Sequence, residues 1–386
     1  MSGGAAAPPK PRLKSIGADP HGDECHPAIP MKGLLLAGGH GTRLRPLTFT
    51  GNKHMLPIAN RPMILYGLEH LINAGIREIG VVLGPIKEGV KELLGDGSKF
   101  GARITYIDQP EPKGLAHAIS ISRDFLGDEP FVMYLGDNLL KQGAKPFVEA
   151  FESGSSDCVV GAARVDDPRR YGVVVFDERG RVKGFVEKPR EPISHWALIG
   201  VYVFNRKIFD AIERIRPSWR GELEITDAIQ ALLDGGARVD CRFVQGWWKD
   251  TGRPEDLLEA NQLVLQELEM GIEGRIEPGA KVTGNVGIGE GTVVRDGATI
   301  RGPAIIGRRC EIGPNAYIGP YTAIGDEAIV RNSEVENSII MSGAEIDCGR
   351  RIVDSLIGHR AKVLSQERNL PRGLKLILGD MTYVGV

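Results

Sequence analysis

Between residues 36 and 46 the chain reads Leu36-Ala37-Gly38-Gly39-His40-Gly41-Thr42-Arg43-Leu44-Arg45-Pro46. Three glycines in four positions let the backbone turn sharply and bring N–H groups close to a ligand. Thr42, Arg43 and Arg45 add a hydroxyl and two cations. Backbone donors and cations in one turn suit a multiply charged anion such as a triphosphate. The spacing excludes two familiar phosphate loops. A dinucleotide fingerprint needs a glycine three residues after Gly41, where Leu44 stands, and a Walker A loop needs a Gly-Lys-Ser/Thr run that is absent. A second candidate is Asp137 in Gly136-Asp137-Asn138, which closes the apolar run Phe131–Leu135. A carboxylate there suits Mg²⁺, which takes a few oxygens and keeps several waters. It equally suits an Asx-turn that ends the strand.

Strands must hold these groups. Met31-Lys32-Gly33-Leu34-Leu35-Leu36 is too short for a helix and reads as a buried strand delivering the glycine turn. From Met31 to about Val244, β-rich apolar runs (79–83, 104–107, 131–135, 158–165, 173–176, 182–186, 198–204, 241–244) are interspersed with helical patterns. These cover 62–74, 86–94, 115–125, 145–152, 208–215 and 222–233. Such alternation predicts an α/β fold, a Rossmann-like and mostly parallel sheet with helices on both faces and ligands at the carboxyl ends of its strands. A further helix from Pro254 to about Met270 leads out of it.

After Gly271 the pattern changes. Branched aliphatics stand at Ile276, Val282, Ile288, Val294, Ile300, Ile306, Ile312, Ile318, Ile324 and Val330, a strict period of six. Four residues after each of the first nine comes a small or branched residue, Cys310 among them. This hexapeptide repeat predicts a parallel β-helix, with the aliphatic and small residues pointing inward and Gly289, Gly307, Gly313, Gly319 and Gly325 at its corners. The register slips to fives at Val335 and Ile340, returns at Ile346 and Ile352, and slips again at Ile357 and Val363.

A length of 386 residues predicts two domains. The boundaries fall at 31–270 and 271–386, after an Ala/Pro/Gly-rich extension over residues 1–30 that reads as disordered and lacks a signal peptide's apolar core. His21, Cys25 and His26 in that extension are a weak signal for a metal. The net charge of −2 excludes non-specific nucleic-acid binding. No apolar stretch is long enough to span a membrane. Five scattered cysteines without a Cys-x-x-Cys pair predict reduced thiols and a cytoplasmic setting.

The string Gly38-Gly39-x-Gly41-Thr42-Arg43-Leu44-x-Pro46, with Lys53 and Pro57 downstream, resembles the signature of the sugar-phosphate nucleotidylyltransferases. The likeness runs from Met31 to about Leu268, and the repeat resembles the left-handed β-helix attached to many members. It implies roles residue by residue. Arg43 faces the leaving pyrophosphate and Lys53 is a second phosphate cation. Asp137 and Asp250, the latter in Trp247-Trp248-Lys249-Asp250-Thr251-Gly252, hold the cofactor Mg²⁺. Leu36, Gly38, Gly39, Gly41, Thr42, Arg43, Gln109 and Gly114 bind the nucleotide, with Gln109 reading a pyrimidine edge. Tyr171, Gly172, Glu187, Lys188, Gly200 and Tyr202 bind the sugar phosphate, although a Glu-Lys pair is also what a solvated strand end looks like. Arg220 to Asp227 is family-like too, and Glu and Thr near a helix start also serve as caps. His54 departs from the glutamine commoner at its position.

Tyr171-Gly172-Val173-Val174, Arg220 to Asp227 and the repeat tail together resemble the longer members that use dTTP and α-D-glucose 1-phosphate, the entry step to deoxysugars. The alternatives are UTP or an amino-sugar phosphate, since thymine and uracil differ by a methyl worth about 1–3 kcal/mol. A non-catalytic scaffold subunit would be expected to lack Arg43, Lys53, Asp137 or Asp250, and all four are present. His359 is the last histidine, and no long insertion breaks the repeat from Ile276 to Val330. The β-helix is therefore expected to build a homo-oligomer and not to transfer acetyl groups.

Overall fold

A computed structural model describes residues 30–365, 381, 382 and 384. Residues 1–29, with His21, Cys25 and His26, lie outside them, as does most of the segment after 365. In chain order the first part consists of β1 (Lys32–Ala37), β2 (Pro57–Ile58), β3 (Arg61–Pro62), α1 (Ile64–Asn73), β4 (Glu78–Leu83), α2 (Glu88–Leu94) and β5 (Arg103–Asp108). Then come α3 (Leu115–Ile121), α4 (Arg123–Leu126), β6 (Phe131–Leu135), β7 (Asn138–Leu140), α5 (Lys145–Glu152), β8 (Cys158–Arg164), β9 (Gly172–Phe176) and β10 (Val182–Glu187). β11 (Trp196–Phe204), α6 (Lys207–Arg214), α7 (Ile225–Asp234), β12 (Val239–Phe243), β13 (Trp248–Asp250) and α8 (Pro254–Glu267) follow.

The main sheet is mixed. β5, β4, β1 and β6 run parallel, and β11 joins them antiparallel and carries β8 and β9. β1 reads as a continuous apolar run because both its faces are covered. Leu34 and Leu36 pack with residues of α3, α6 and α7, whereas Leu35 and Ala37 pack with those of α1, α2 and α5. The helix expected over 115–125 breaks at Ser122, whose hydroxyl donates to Ala118 O at 2.7 Å. Such back-bonding competes with the helical ladder.

Three strand ends meet at the rim. Gly38, Gly84 and Gly136 follow β1, β4 and β6, and at each a side chain would collide. A Cβ on Gly84 would lie 2.5 Å from Gly38 O, and one on Gly136 would lie 2.9 Å from Leu36 O. Glycine at these ends lets the loops close on each other.

Among the described residues the chain divides into two compact units, one holding residues 30–56 and Pro62–Gly252, the other Pro57–Arg61 and residues 253–365. Among the described residues of the second unit, sixteen short strands form three parallel sheets of six, five and five strands. Val282, Ile300, Ile318, Val335 and Ile352 stack on one face, and Ile288, Ile306, Ile324, Ile340 and Ile357 on another. This is a left-handed β-helix in which the register slips shorten a coil without moving an aliphatic off its stack. Cys310 occupies the inward slot, buried, with its thiol donating to Gly325 O at 3.1 Å and pushed up to about 11 by desolvation. Gly289, Gly307 and Gly325 are required by stacking, since a Cβ on Gly307 would stand 2.4 Å from Asp326 Oδ1. The left-handed corner residues themselves include Arg309, Asn315, Tyr321 and Glu327. The turn Ala59-Asn60 docks in this unit. Ala59 N donates to Asn261 Oδ1 at 2.8 Å, Asn261 Nδ2 donates to Tyr321 O at 2.9 Å, and Asn60 Nδ2 donates to Ile324 O at 2.6 Å.

Candidate active site

Gly41 holds φ at 62°, a conformation that favours glycine, and its carbonyl accepts from Thr48 Oγ1 at 2.7 Å. Thr42–Leu44 then forms a single 3₁₀ turn with Arg43 exposed on it. The glycines also make room for Lys53. A Cβ on Gly39 would lie 3.1 Å from Lys53 Cε, and one on Gly41 would lie 2.9 Å from Lys53 Cβ. The lysine thus runs alongside the turn and ion-pairs with Asp137.

Asp137 is held from several sides. Burial alone would raise its pKa, but the charge of Lys53 and hydrogen bonds from Lys53 and Asn138 outweigh that and hold it well below the usual carboxylate range. Its carbonyl accepts from Thr251 N at 3.0 Å and Thr251 Oγ1 at 2.7 Å. β13 pairs antiparallel with β7, placing Asp250 opposite Asn138 and so within one residue of Asp137. A Cβ on Gly252 would lie 3.2 Å from an Arg43 guanidinium nitrogen. The tail of that strand therefore also meets the arginine of the glycine turn.

His54 is buried, and Asn52 fixes its tautomer. Asn52 Nδ2 donates to Ala37 O and Ile86 O, so Oδ1 faces the ring and accepts from His54 Nδ1 at 2.7 Å. Desolvation, then the charge of Lys53, push the imidazole down to about 3 against the opposing pull of Asp137. It is a neutral ring at physiological pH.

The residues expected on the sugar side also converge. Glu187 Oε1 lies 3.2 Å from Lys188 Nζ and 3.4 Å from Arg220, while its other oxygen accepts from Thr226 Oγ1 at 3.2 Å. Gly172 is pressed against this carboxylate, since a Cβ there would lie 2.9 Å from Glu187 Oε2. The question at the start of α7 is answered for Glu224: it makes no cap hydrogen bond and instead accepts from Ser218 and Arg220. Desolvation, reinforced by Glu187, raises the carboxyls of Glu224 and Asp227. Tyr171 packs edge-on to Trp248 with ring centroids 5.4 Å apart, connecting this cluster to β13. Gln109 lies beside Gly38, and Gly114 beneath the Leu223 backbone, where a Cβ would come 2.3 Å from Leu223 O. Leu36 and Tyr202 are placed differently. Both are buried in the core under the rim, Tyr202 stacked on Phe204 and 3% exposed.

Sequence reasoning missed Asn138 as a functional residue. Only 4% exposed, it donates to Asp137 Oδ1 at 3.0 Å and accepts from Gly200 N at 3.1 Å and the Trp248 indole at 2.6 Å. Gly200 is glycine because a Cβ there would lie 2.6 Å from Asn138 Cγ. Adjacency to Asp137 was the one signal available. Asn138→Ala strands the Gly200 and Trp248 donors, and urea unfolding is expected to show a loss of about 2–3 kcal/mol.

A glycine turn with its backbone N–H groups, a lysine–carboxylate pair and an arginine on one rim suit a multiply charged anion. A family profile described as nucleotidyl transferase matches residues 32–267. The chain belongs to the nucleotidyl transferase family. A second profile, the GMPPB C-terminal domain, matches residues 300–369 of this nucleotidyl transferase. Among its relatives, the low-salt glycan biosynthesis nucleotidyltransferase Agl11 of Haloferax volcanii is 50% identical over 91% of this chain and 98% of that protein. The glucose-1-phosphate thymidylyltransferase of Streptomyces antibioticus is 46% identical over 92% of this chain and 99% of that one. The structure of a UDP-glucose pyrophosphorylase complexed with UDP-glucose superposes with a TM-score of 0.56 at 27% identity, covering 62% of this chain and 99% of that chain.

Proposed function

We propose that this chain transfers the thymidylyl group of dTTP to α-D-glucose 1-phosphate, giving dTDP-glucose and pyrophosphate. The observation that carries the reading is the Lys53–Asp137 pair set against Gly39 and Gly41, with Arg43 on the same turn. The likeness to the Streptomyces thymidylyltransferase supports the choice of substrates.

In this reaction a phosphate oxygen of the sugar phosphate attacks the α-phosphorus while pyrophosphate leaves in line. Little proton chemistry is needed, so positioning and charge neutralisation carry the catalysis. Backbone N–H groups of Gly39 to Thr42 and the Arg43 guanidinium bind the β- and γ-phosphates and take up the charge that grows as pyrophosphate departs. Lys53 neutralises the remaining phosphate charge. Lys188 holds the sugar phosphate, and Glu187, fixed by Arg220 and Thr226, accepts from sugar hydroxyls. His54, uncharged, fills the floor beneath Gly136 without adding a cation.

The donor set also fits a divalent cation. Asp137 is held ionised, and Asp250 stands one residue away across the β7–β13 pair. Two carboxylates suffice for Mg²⁺, which takes one or two and completes its shell with water and substrate phosphate. When bound there, Mg²⁺ supplies Lewis-acid neutralisation of phosphate charge.

The Haloferax relative favours a second reading, the same transfer with another nucleotide or sugar phosphate. Pyrophosphate release measured over a grid of dTTP, UTP, dCTP and ATP against several hexose and amino-hexose 1-phosphates decides between them. The proposal expects the highest kcat/KM for dTTP with glucose 1-phosphate, and a clear preference for any other pair removes it.

The flat faces of the β-helix serve as an assembly surface in this reading. Light scattering is expected to give a multiple of the 41.9 kDa chain mass, and a monomer at micromolar concentration contradicts that role.

A further inference from the structure

We infer that His117 decides which nucleobases this site accepts, by fixing the orientation of the Gln109 amide. The inference rests on the nucleotide reading above. Gln109 follows β5, and its backbone N–H donates to Leu83 O at 2.8 Å. The residue is only 6% exposed, and the partners of its amide nitrogen come from the protein. Nε2 lies 3.4 Å from Gly114 O and 3.0 Å from His117 Nδ1, on the third residue of α3. A backbone carbonyl only accepts, so the nitrogen and not the oxygen of the amide faces this side. His117 Nδ1 is then an acceptor, and the ring carries its proton on Nε2.

The surroundings favour that neutral ring. Partial burial, then the charge of Lys113, lower the pKa of His117 against the opposing charge of Glu111. With the nitrogen committed, Gln109 Oε1 points the other way. A Cβ on Gly38 would lie 2.9 Å from it, so the oxygen borders the glycine turn.

An acceptor at that place selects by hydrogen-bond polarity. Thymine and uracil present N3–H at the middle of their pairing edge, and guanine presents N1–H. Cytosine and adenine present a bare ring nitrogen there. Two acceptors brought face to face in a half-buried cleft leave both unpaired, a penalty far larger than that of a missing methyl group. His117 is therefore a positioning residue. Without its acceptor only the longer 3.4 Å contact to Gly114 O holds the Gln109 nitrogen on that side, the amide turns more readily, and the barrier against cytosine falls.

The test compares dTTP with dCTP, which share ring size and differ on this edge, by pyrophosphate release from the full-length protein at saturating sugar phosphate. Wild type is expected to favour dTTP. His117→Leu should lower the dTTP:dCTP ratio of kcat/KM by at least about tenfold. His117→Asn, whose amide oxygen reaches the place of Nδ1, should keep the ratio within about threefold of wild type. The KM for sugar phosphate should not move in either variant. An unchanged ratio in His117→Leu, or a His117→Asn no better than His117→Leu, overturns the inference while leaving the nucleotide reading in place. A wild type that uses dCTP as well as dTTP overturns the reading of Gln109 and this inference with it.

Discussion

Asp137→Asn is expected to lower kcat by about three orders of magnitude while the protein stays folded. The substitution keeps the shape of the side chain and an oxygen that still accepts from Asn138. It removes the negative charge that Lys53 pairs with and the anionic oxygen that a divalent cation would take. About 4 kcal/mol of transition-state stabilisation, the scale associated with phosphate-neutralising metals and oxyanion donors, corresponds to that loss. Steady-state kinetics with circular dichroism as a folding control measures it. A kcat within about threefold of wild type would show that Asp137 does not hold the charge the reaction depends on.

Arg43 and Lys188 should separate cleanly. In the proposed reaction Arg43 faces charge that develops as pyrophosphate leaves, so Arg43→Ala is expected to reduce kcat by about 10²–10³ with little change in the KM for sugar phosphate. In the proposed reaction Lys188 meets the sugar phosphate, which is charged in the ground state as well. Lys188→Ala should therefore raise the KM for sugar phosphate roughly 10- to 100-fold and leave kcat nearly intact. Lys188 also holds φ at 41°, uncommon for a side-chain-bearing residue, which aims its ammonium at Glu187. A Lys188→Ala protein whose altered KM belonged to the nucleotide would move the sugar pocket elsewhere.

Much of the fold was legible because its signals are local. The period of six follows from one aliphatic per face of a coil, and ten positions in phase leave no other architecture. The run 131–135 was readable as a strand because a chain segment covered on both sides must be apolar throughout. The glycine turn stood out by its own residue types, Lys53 and Asp137 were singled out by resemblance to the family, and the structure brings the three together. What escaped depended on contacts between distant segments. Asn138 joins Gly200 and Trp248, residues that no spacing rule brings near it. The docking of Ala59-Asn60 with Asn261 and Ile324 links residues more than two hundred positions apart. Tyr202 was placed by resemblance in the sugar pocket, and in the structure it is buried on the strand face it shares with Leu198 and Phe204. Sequence could not separate a substrate role from capping over Arg220 to Asp227, and in the structure Arg220 and Ser218 claim the Glu224 carboxylate.

The reaction itself is tested most directly by following the α-phosphorus. Incubated with Mg²⁺, glucose 1-phosphate and dTTP labelled at that atom, the full-length protein is expected to transfer the label into dTDP-glucose with one pyrophosphate released per label moved. Label that stays in dTTP, or that appears as dTMP by hydrolysis with no sugar attached, would contradict nucleotidyl transfer at this site.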